Sequence, residues 1–151
     1  MVFTISYSLL RSKLSLLQQQ VNSVLNDITD FTISIELNKD IEKSPIIHIK
    51  NQALVPAVMG SGFQKFIITV AIRLVLARNH PYCPSFLIID EGFGCMDQEH
   101  LAATVDFLSG LRVSSDMDWL LFITHLPEMR TIISTPITVV RENNVSKIDF
   151  Q

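Results

Sequence analysis

A short apolar run that ends in two adjacent acids limits the folds open to this chain more than any other feature. The run is Phe86-Leu87-Ile88-Ile89, and Asp90 and Glu91 follow it directly. A continuous apolar run of this length is typical of a parallel strand that is buried on both faces. In open α/β sheets the reactive groups lie beyond the carboxyl ends of such strands. The run therefore predicts an α/β fold with Asp90 and Glu91 at a functional edge of the sheet.

The acidic pair itself indicates a class of ligand. Two neighbouring ionised carboxylates repel each other, so they need a cation or another positive partner. Mg²⁺ is often bound through one or two carboxylates together with substrate phosphates. In nucleotide hydrolases the first acid holds Mg²⁺ and the second orients the attacking water as general base. We therefore predict ATP and Mg²⁺ as cofactors, with Asp90 as the metal-binding residue and Glu91 as a catalytic residue.

The first part of the chain predicts a helix followed by a β-hairpin. A heptad seam predicts the last stretch of a coiled coil, and an ordinary amphipathic helix packed on the domain is the alternative. Alternating residues predict strands at Phe31 to Leu37 and at Ile46 to Ile49, with a turn at Asn38-Lys39-Asp40. The seam consists of Leu10, Leu14, Leu17, Val21, Val24 and Ile28.

The second part alternates predicted helices and strands, as parallel α/β sheets do. The segment from Gly62 to about Arg78 has almost no polar face, so we expect that helix to be buried nearly all round. An amphipathic helix is predicted from Gln98 to about Leu111, and a buried strand at Trp119 to Ile123. Two further β segments, near Ile137 to Val140 and Val145 to Phe150, predict a closing hairpin.

Composition limits the cellular setting. The chain has 151 residues, 48% of them apolar, and a mean hydropathy of +0.33, so we expect another surface to cover part of it. The longest apolar stretch, Phe66 to Ala77, is too short to span a bilayer, and no secretory signal is recognisable. We expect an intracellular protein, cytoplasmic or nuclear, whose Cys83 and Cys95 are reduced packing thiols. A net charge of −3 gives no general attraction for nucleic acid.

The sequence lacks the usual device that cradles phosphates. That device is a GxxxxGK[ST] loop, and no Gly-Lys pair occurs among the five glycines. The chain therefore predicts the hydrolytic side of an ATP site without the phosphate-binding side. We expect the isolated polypeptide to have no ATPase activity.

Two further elements complete the predicted site, and each has a simpler alternative. Ser61 and Gly62 begin a helix whose N-terminus can meet a γ-phosphate, although Ser61 with Gln64 would also form an ordinary capping box. His125 follows the second buried strand and should share the edge of Asp90 and Glu91, although a strand-end histidine often has no role. Asp97 is expected to cap the following helix. The remaining histidines, His48, His80 and His100, are expected to be surface or capping residues.

In this order, these elements resemble the C-terminal lobe of an ABC-type ATPase of the SMC and SbcC (DNA double-strand-break repair exonuclease ATPase subunit) family. The resemblance covers about Leu10 to the C-terminus and includes the heptad helix, which transporter ATPases lack. It implies an α/β fold that is the C-terminal half of a P-loop NTPase head. The matching motifs are Ser61-Gly62-Phe63-Gln64-Lys65, Phe86 to Glu91, Gly94-Cys95-Met96-Asp97 and Ile123-Thr124-His125.

The resemblance implies a role for each motif. Ser61 to Lys65 would be the signature motif that clamps the ATP of the opposite head, with Ser61, Gly62, Phe63, Gln64 and Lys65 as its members. Asp90 would be the Walker B aspartate, Glu91 the catalytic glutamate and His125 the switch histidine. Gly94 and Asp97 would belong to the D-loop across the dimer interface. Phe63 stands where the family usually has glycine, so its side chain is expected to limit how closely the backbone approaches phosphate.

The resemblance also implies the domain plan and the partners. Residues 1–29 would be a coiled-coil stub and residues 30–151 the ATPase lobe. The implied partners are an N-terminal Walker A lobe, a second head in a homodimer, an SbcD-type nuclease and double-stranded DNA, in DNA repair and recombination. Two other hypotheses remain open: a non-hydrolytic interaction module that regulates an ATPase head, and a transporter ATPase component, which the heptad helix disfavours.

Overall fold

The computed structural model describes residues 2–38, 45–82, 86–114, 118–127, 129, 133 and 135–150. Short 3₁₀ turns at Ala57–Met59 and Phe93–Cys95 precede the second and third helices. In this part of the chain the helices and strands, in order, are α1 (Val2–Leu25), β1 (Thr32–Glu36), β2 (Ile46–Lys50), β3 (Leu54–Pro56), α2 (Gly62–Arg78), β4 (Phe86–Asp90), α3 (Gln98–Ser114), β5 (Trp119–Ile123), β6 (Ile137–Glu142) and β7 (Val145–Phe150).

Helix α1 forms where the heptad seam predicted a helix, and its two halves differ in burial. Val21 and Leu25 are fully buried in the core, whereas Leu10 is 41% exposed. The C-terminal half thus packs on the domain as an ordinary amphipathic helix, which was the alternative interpretation of the seam. Ile28, the last seam residue, lies in the turn after α1. A coiled coil formed by the N-terminal half remains a prediction.

The predicted antiparallel hairpin is confirmed and gains a third strand. Strands β1 and β2 pair from Thr32↔Lys50 to Glu36↔Ile46, and β3 pairs with the other edge of β2. The sequence analysis missed β3, because a three-residue strand ending in proline carries no alternation to detect. Lys39 and Asp40 of the predicted turn lie outside the described residues.

Side-chain amides of α1 bond the outer edge of β1. Asn22 Oδ1 accepts from the Ile33 amide at 2.7 Å, and Asn22 Nδ2 donates to the Ile33 carbonyl at 2.9 Å. Gln18 Oε1 accepts from the Ile35 amide at 2.7 Å. Four helical residues rise about 6 Å, close to the roughly 6.6 Å of two strand residues. The spacing of the two side-chain amides along α1 therefore matches the spacing of their backbone partners along β1. This match fixes the register of α1 against the strand.

Strands β4 and β5 form the predicted parallel pair, in register from Phe86↔Trp119 to Asp90↔Ile123. The prediction that β4 is buried on both faces is wrong. Leu87 and Ile89 face the core, whereas Phe86 and Ile88 are 43% and 44% exposed. Successive side chains of a strand point to opposite faces, and the described core covers only one of them. We call the other face the open sheet face; it consists of Phe86, Ile88, Trp119, Leu121 and Ile123.

Helix α2 has the predicted bounds but is not buried nearly all round. Lys65, Thr69 and Arg73 are exposed, and their four-residue spacing places them on one face of the helix. The opposite side packs in the core, through Phe63, Ile67, Ile68, Val70, Ala71, Leu74 and Val75. Three polar residues at this spacing are enough to give an otherwise apolar helix a solvent face.

The closing hairpin is confirmed as β6 and β7, which pair antiparallel from Ile137↔Phe150 to Glu142↔Val145. The linking residues Asn143 and Asn144 have φ angles of 49° and 63°, as expected for a two-residue type I′ turn. Cys83 and the side chain of Cys95 lie outside the described residues. No helix in the described ranges is both long and apolar enough to cross a membrane.

Candidate active site

The parallel pairing of β4 and β5 brings the two predicted strand ends to one edge. Asp90 pairs with Ile123, and the amide of Glu91 donates to the Ile123 carbonyl at 2.8 Å. The ladder thus continues one residue beyond β4. As a result, Glu91 and the residues that follow Ile123 leave the sheet side by side.

Glu91 and His125 meet at this edge. His125 Nδ1 lies 3.0 Å from Glu91 Oε1 and 2.9 Å from Oε2. The side chains of His125 and Glu91 are 75% and 46% exposed, respectively, so both remain accessible to a ligand. A ring nitrogen held against a carboxylate fixes the orientation of both groups. The predicted juxtaposition of these residues is confirmed, and their catalytic roles remain predictions.

The backbone turns sharply at the acidic end of β4. Glu91 has a φ of 56° and Gly92 a φ of 98°, and a positive φ is costly for a residue with a side chain. The packing at position 92 favours glycine, because a Cβ there would lie 2.6 Å from Phe66 Cε2. Strain of this kind is concentrated at functional sites, where surrounding packing maintains it.

Asp90 lies at the end of a groove between α2 and β4. The groove has a volume of about 300 Å³, and Lys65 and Arg73 line it together with Asp90 and Glu91. Asp90 is exposed, and its carboxylate makes no hydrogen bond or ion pair with the described residues, unlike that of Glu91. The sequence analysis missed Arg73, whose only signal was its charge within an apolar helix.

The donors at this edge fit Mg²⁺ bound together with a phosphate. No cluster of three or more potential metal ligands occurs among the described residues. Mg²⁺ usually retains waters and binds through one or two carboxylates plus substrate phosphates. The carboxylate of Asp90, which is exposed and has no partner among the described residues, suits that mode.

Ser61 forms the predicted capping box at the start of α2. Its Oγ accepts from the Gln64 amide at 3.1 Å, and Gln64 Oε1 accepts from the Ser61 amide at 2.9 Å. Lys65 Nζ reaches the Val58 carbonyl at 3.4 Å. Within the described part of the chain, Ser61 makes no hydrogen bond to Glu91 or His125. The simpler interpretation of Ser61 as a cap is therefore confirmed, and a role toward phosphate remains a prediction.

Phe63 does not stand on the exposed side of this loop. Its side chain is only 9% exposed, and its ring packs on His100 with centroids 4.2 Å apart. The expectation that Phe63 limits backbone approach to phosphate is therefore not supported, since the ring is directed into the fold. Ser61 remains exposed at the end of the helix.

Asp97 caps α3 as predicted. Its Oδ1 accepts from the His100 amide at 2.9 Å, and both carboxylate oxygens lie 2.8 Å from His100 Nδ1. The hydrogen bond from the His100 backbone amide, and after it the hydrogen bond from the His100 ring, lower the pKa of Asp97 below its ordinary value of 3.8. His100 was expected to be a surface or capping residue, and its contacts with both Asp97 and Phe63 were missed. Its position three residues after the cap was the available signal.

Gly94 lies in the 3₁₀ turn between Glu91 and Asp97. It is exposed, and a Cβ at this position would meet no atom of the described residues within 4 Å. The local structure therefore does not require glycine at this position.

Sequence comparison finds relatives that are much longer than this chain. No protein-family model matches it. It is 26% identical over 158 residues to uncharacterized protein R555 of Acanthamoeba polyphaga mimivirus, an alignment covering 94% of this chain and 12% of R555. It is 35% identical over 86 residues to the SbcC component of nuclease SbcCD from Pseudomonas aeruginosa, covering 56% of this chain and 7% of SbcC.

Structural comparison agrees with the sequence comparison. One similar structure comes from work on ATP-driven dimerization and DNA-stimulated activation of SMC ATPases: the TM-score is 0.77 at 14% identity, covering 95% of this chain and 88% of that one. Another is the Smc head domain of Pyrococcus yayanosii with a coiled coil and joint, with a TM-score of 0.73 at 15% identity, covering 99% and 29%. The chain therefore has the fold of the C-terminal half of an SMC-type ATPase head, and its sequence and fold together support a C-terminal ATPase lobe of the SMC/SbcC family.

Proposed function

We propose that this chain provides one half of a composite ATP-hydrolysing site in an SMC/SbcC-like head. The paired Glu91 and His125 at the end of two parallel strands are the observation that carries the proposal. A positioned carboxylate can act as general base toward water, and a histidine beside it can hydrogen-bond a phosphate. The likeness to SMC heads and to SbcC supports an ATPase-related role.

Each of the three residues at the sheet edge would have a separate role in hydrolysis. Asp90 would hold Mg²⁺ through water, since its carboxylate is exposed and unpaired within the described ranges. When bound, Mg²⁺ neutralises charge on the phosphates. Glu91 would orient the attacking water and accept its proton. His125 would hold the Glu91 carboxylate in place and hydrogen-bond the terminal phosphate.

Two other motifs would act on a second head. Ser61 is exposed and Gly62 supplies a backbone amide at the start of α2, where the helix dipole favours an anion; Gln64 and Lys65 continue that signature motif with Phe63. Gly94 and Asp97 would form the D-loop of the same interface. Two heads would then enclose two ATP molecules, each nucleotide contacted by Ser61 of the opposite head.

An N-terminal Walker A lobe would supply the phosphate-binding loop that this sequence lacks. The open sheet face supports such a partner, since it presents five large apolar side chains at 37–49% exposure. Contiguous exposed apolar surface of this kind marks an interaction site. The groove beside Asp90, with Lys65 and Arg73 on its wall, adjoins the same strand.

We further propose that the assembled head works on DNA. The similarity to the SbcC component of nuclease SbcCD favours double-stranded DNA as the substrate of the assembly, an SbcD-type nuclease as a partner, and a role in repair and recombination. The setting would be intracellular and DNA-associated. The chain's net charge of −3 means that any DNA contact is local or made by a partner.

The proposal is tested by mixing the chain with the N-terminal lobe of its head and measuring phosphate release and ATP-dependent pairing. Glu91→Gln should abolish turnover while ATP-induced dimers persist. Glu99→Gln, an exposed acid in the first turn of α3, is the matched control and should leave both unchanged. If Glu91→Gln leaves turnover unchanged, the chain is a regulatory interaction module instead.

The chain without its partner lobe should release no phosphate. Steady phosphate release by the purified polypeptide, lost on Asp90→Ala, would show that the composite site is not required.

A further inference from the structure

A pair of packed rings joins the N-terminal ends of α2 and α3. Phe63, the second residue of α2, is buried against His100 in the first turn of α3, with ring centroids 4.2 Å apart and planes tilted by 41°. A glycine at position 63, as in the family motif, would make no such contact. Phe63, which stands where the motif has glycine, thus links two helix ends that no local sequence pattern connects.

His100 is held from its other side by Asp97. Its Nδ1 lies 2.8 Å from both oxygens of that carboxylate, and its backbone carbonyl accepts from Thr104 Oγ at 2.7 Å. The His100 and Asp97 side chains are 46% and 65% exposed. His100 therefore contacts both a buried aromatic ring and an exposed carboxylate.

We propose that His100 is a positioning residue: it fixes the Asp97 carboxylate relative to the Ser61 end of α2, and ATP-dependent pairing of two heads depends on it. The inference rests on the proposed function, in which Ser61 and Asp97 both meet the second head. Two elements that must dock on one partner surface need a fixed spacing. In this chain, Phe63 and His100 provide that spacing.

The first test uses the complete head, made from this chain and its N-terminal lobe. His100→Phe keeps a ring against Phe63 and the backbone amide that caps α3 through Asp97, but it removes the ring nitrogen that contacts the Asp97 carboxylate. We expect its melting temperature and KM for ATP to stay near those of the wild type, while kcat and ATP-dependent pairing fall about tenfold. His80→Phe, at an exposed histidine outside this link, is the control. Wild-type pairing and kcat in His100→Phe would overturn the inference.

The second test needs no ATP and separates this inference from the proposed function. In the ¹⁵N-labelled chain, Phe63→Leu should shift the amide resonances of Asp97 and Gln98, and Asp97→Asn should shift those of Ser61 and Gly62. His80→Phe should shift neither set. If each substitution perturbs only its own helix, the link is absent whatever the ATPase result. If the cross-helix shifts occur but the complete head never responds to ATP, the proposed function fails and the positioning role in pairing fails with it.

Discussion

The left-handed backbone at Glu91 predicts an unusual order of stability for two small substitutions. Glu91→Ala and Glu91→Gly both remove the contact with His125, so the loss of that contact cancels between them. The variants differ in how they tolerate a φ of 56°. At this position Gly should be more stable than Ala, the reverse of the usual order.

The size of the difference follows from two opposing terms. A side chain at positive φ costs roughly 1–2 kcal/mol, and Gly avoids that cost. Replacing Ala by Gly also increases the entropy of the unfolded chain, which costs about 0.4–1 kcal/mol. The balance makes Glu91→Gly more stable than Glu91→Ala by about 0.5–1 kcal/mol.

The assay is urea unfolding of the full chain followed by circular dichroism. Asp90 provides the matched control, because it is an exposed acid in extended backbone next to Glu91. There Asp90→Gly should be less stable than Asp90→Ala, by about 0.5–1 kcal/mol. If Glu91→Ala were as stable as Glu91→Gly, or more stable, the turn at the acidic edge would carry no strain.

Three further predictions concern the turn after β4, the attachment of α1 and the cap of α3. Gly92→Ala should lower the free energy of unfolding by about 2–4 kcal/mol, because it adds a positive-φ cost to a clash, whereas Gly94→Ala should change it by less than about 0.5 kcal/mol; urea unfolding measures both. Asn22→Ala leaves two backbone groups of β1 unpaired and should lower the free energy of unfolding by about 1–3 kcal/mol. The control Gln19→Ala, at an exposed residue of α1, should lower it by less than about 0.5 kcal/mol. Equal unfolding midpoints for the two variants would contradict this prediction. The pKa of Asp97 is lowered by folding, so its stabilising effect is present above 3.8 and is lost as the pH falls through the lower folded value; in acid titrations of stability, Asp97→Asn should lose less stability over that range than the wild type.

Local patterns predicted most elements of this fold, because apolar spacing and caps act over a few residues. Helix α2 has the predicted bounds, since Ser61 and Gln64 form a capping box that fixes its start. The common edge of Glu91 and His125 was also predictable, because parallel strands end together. Asn143 and Asn144 marked the last hairpin through the positive φ angles its turn requires.

Burial was less predictable, because it depends on which elements cover a surface. The run at Phe86 looked buried on both faces, yet Phe86 and Ile88 lie on the open sheet face. The contact of Phe63 with His100 joins residues 37 positions apart, so no local pattern could show it. The charge of Arg73 within an apolar helix does not by itself indicate the groove that this residue lines.

The composite nature of the site is tested most directly by mixing two inactive heads, each assembled with its N-terminal lobe. One carries Ser61→Arg and the other Glu91→Gln. In a mixed dimer, one nucleotide meets a native Glu91 and, from the opposite head, a native Ser61. Random pairing should therefore restore about a quarter of wild-type ATP turnover. Mixed dimers that form on ATP but recover no turnover would contradict the account, because Ser61 would then not act on the nucleotide of the opposite head.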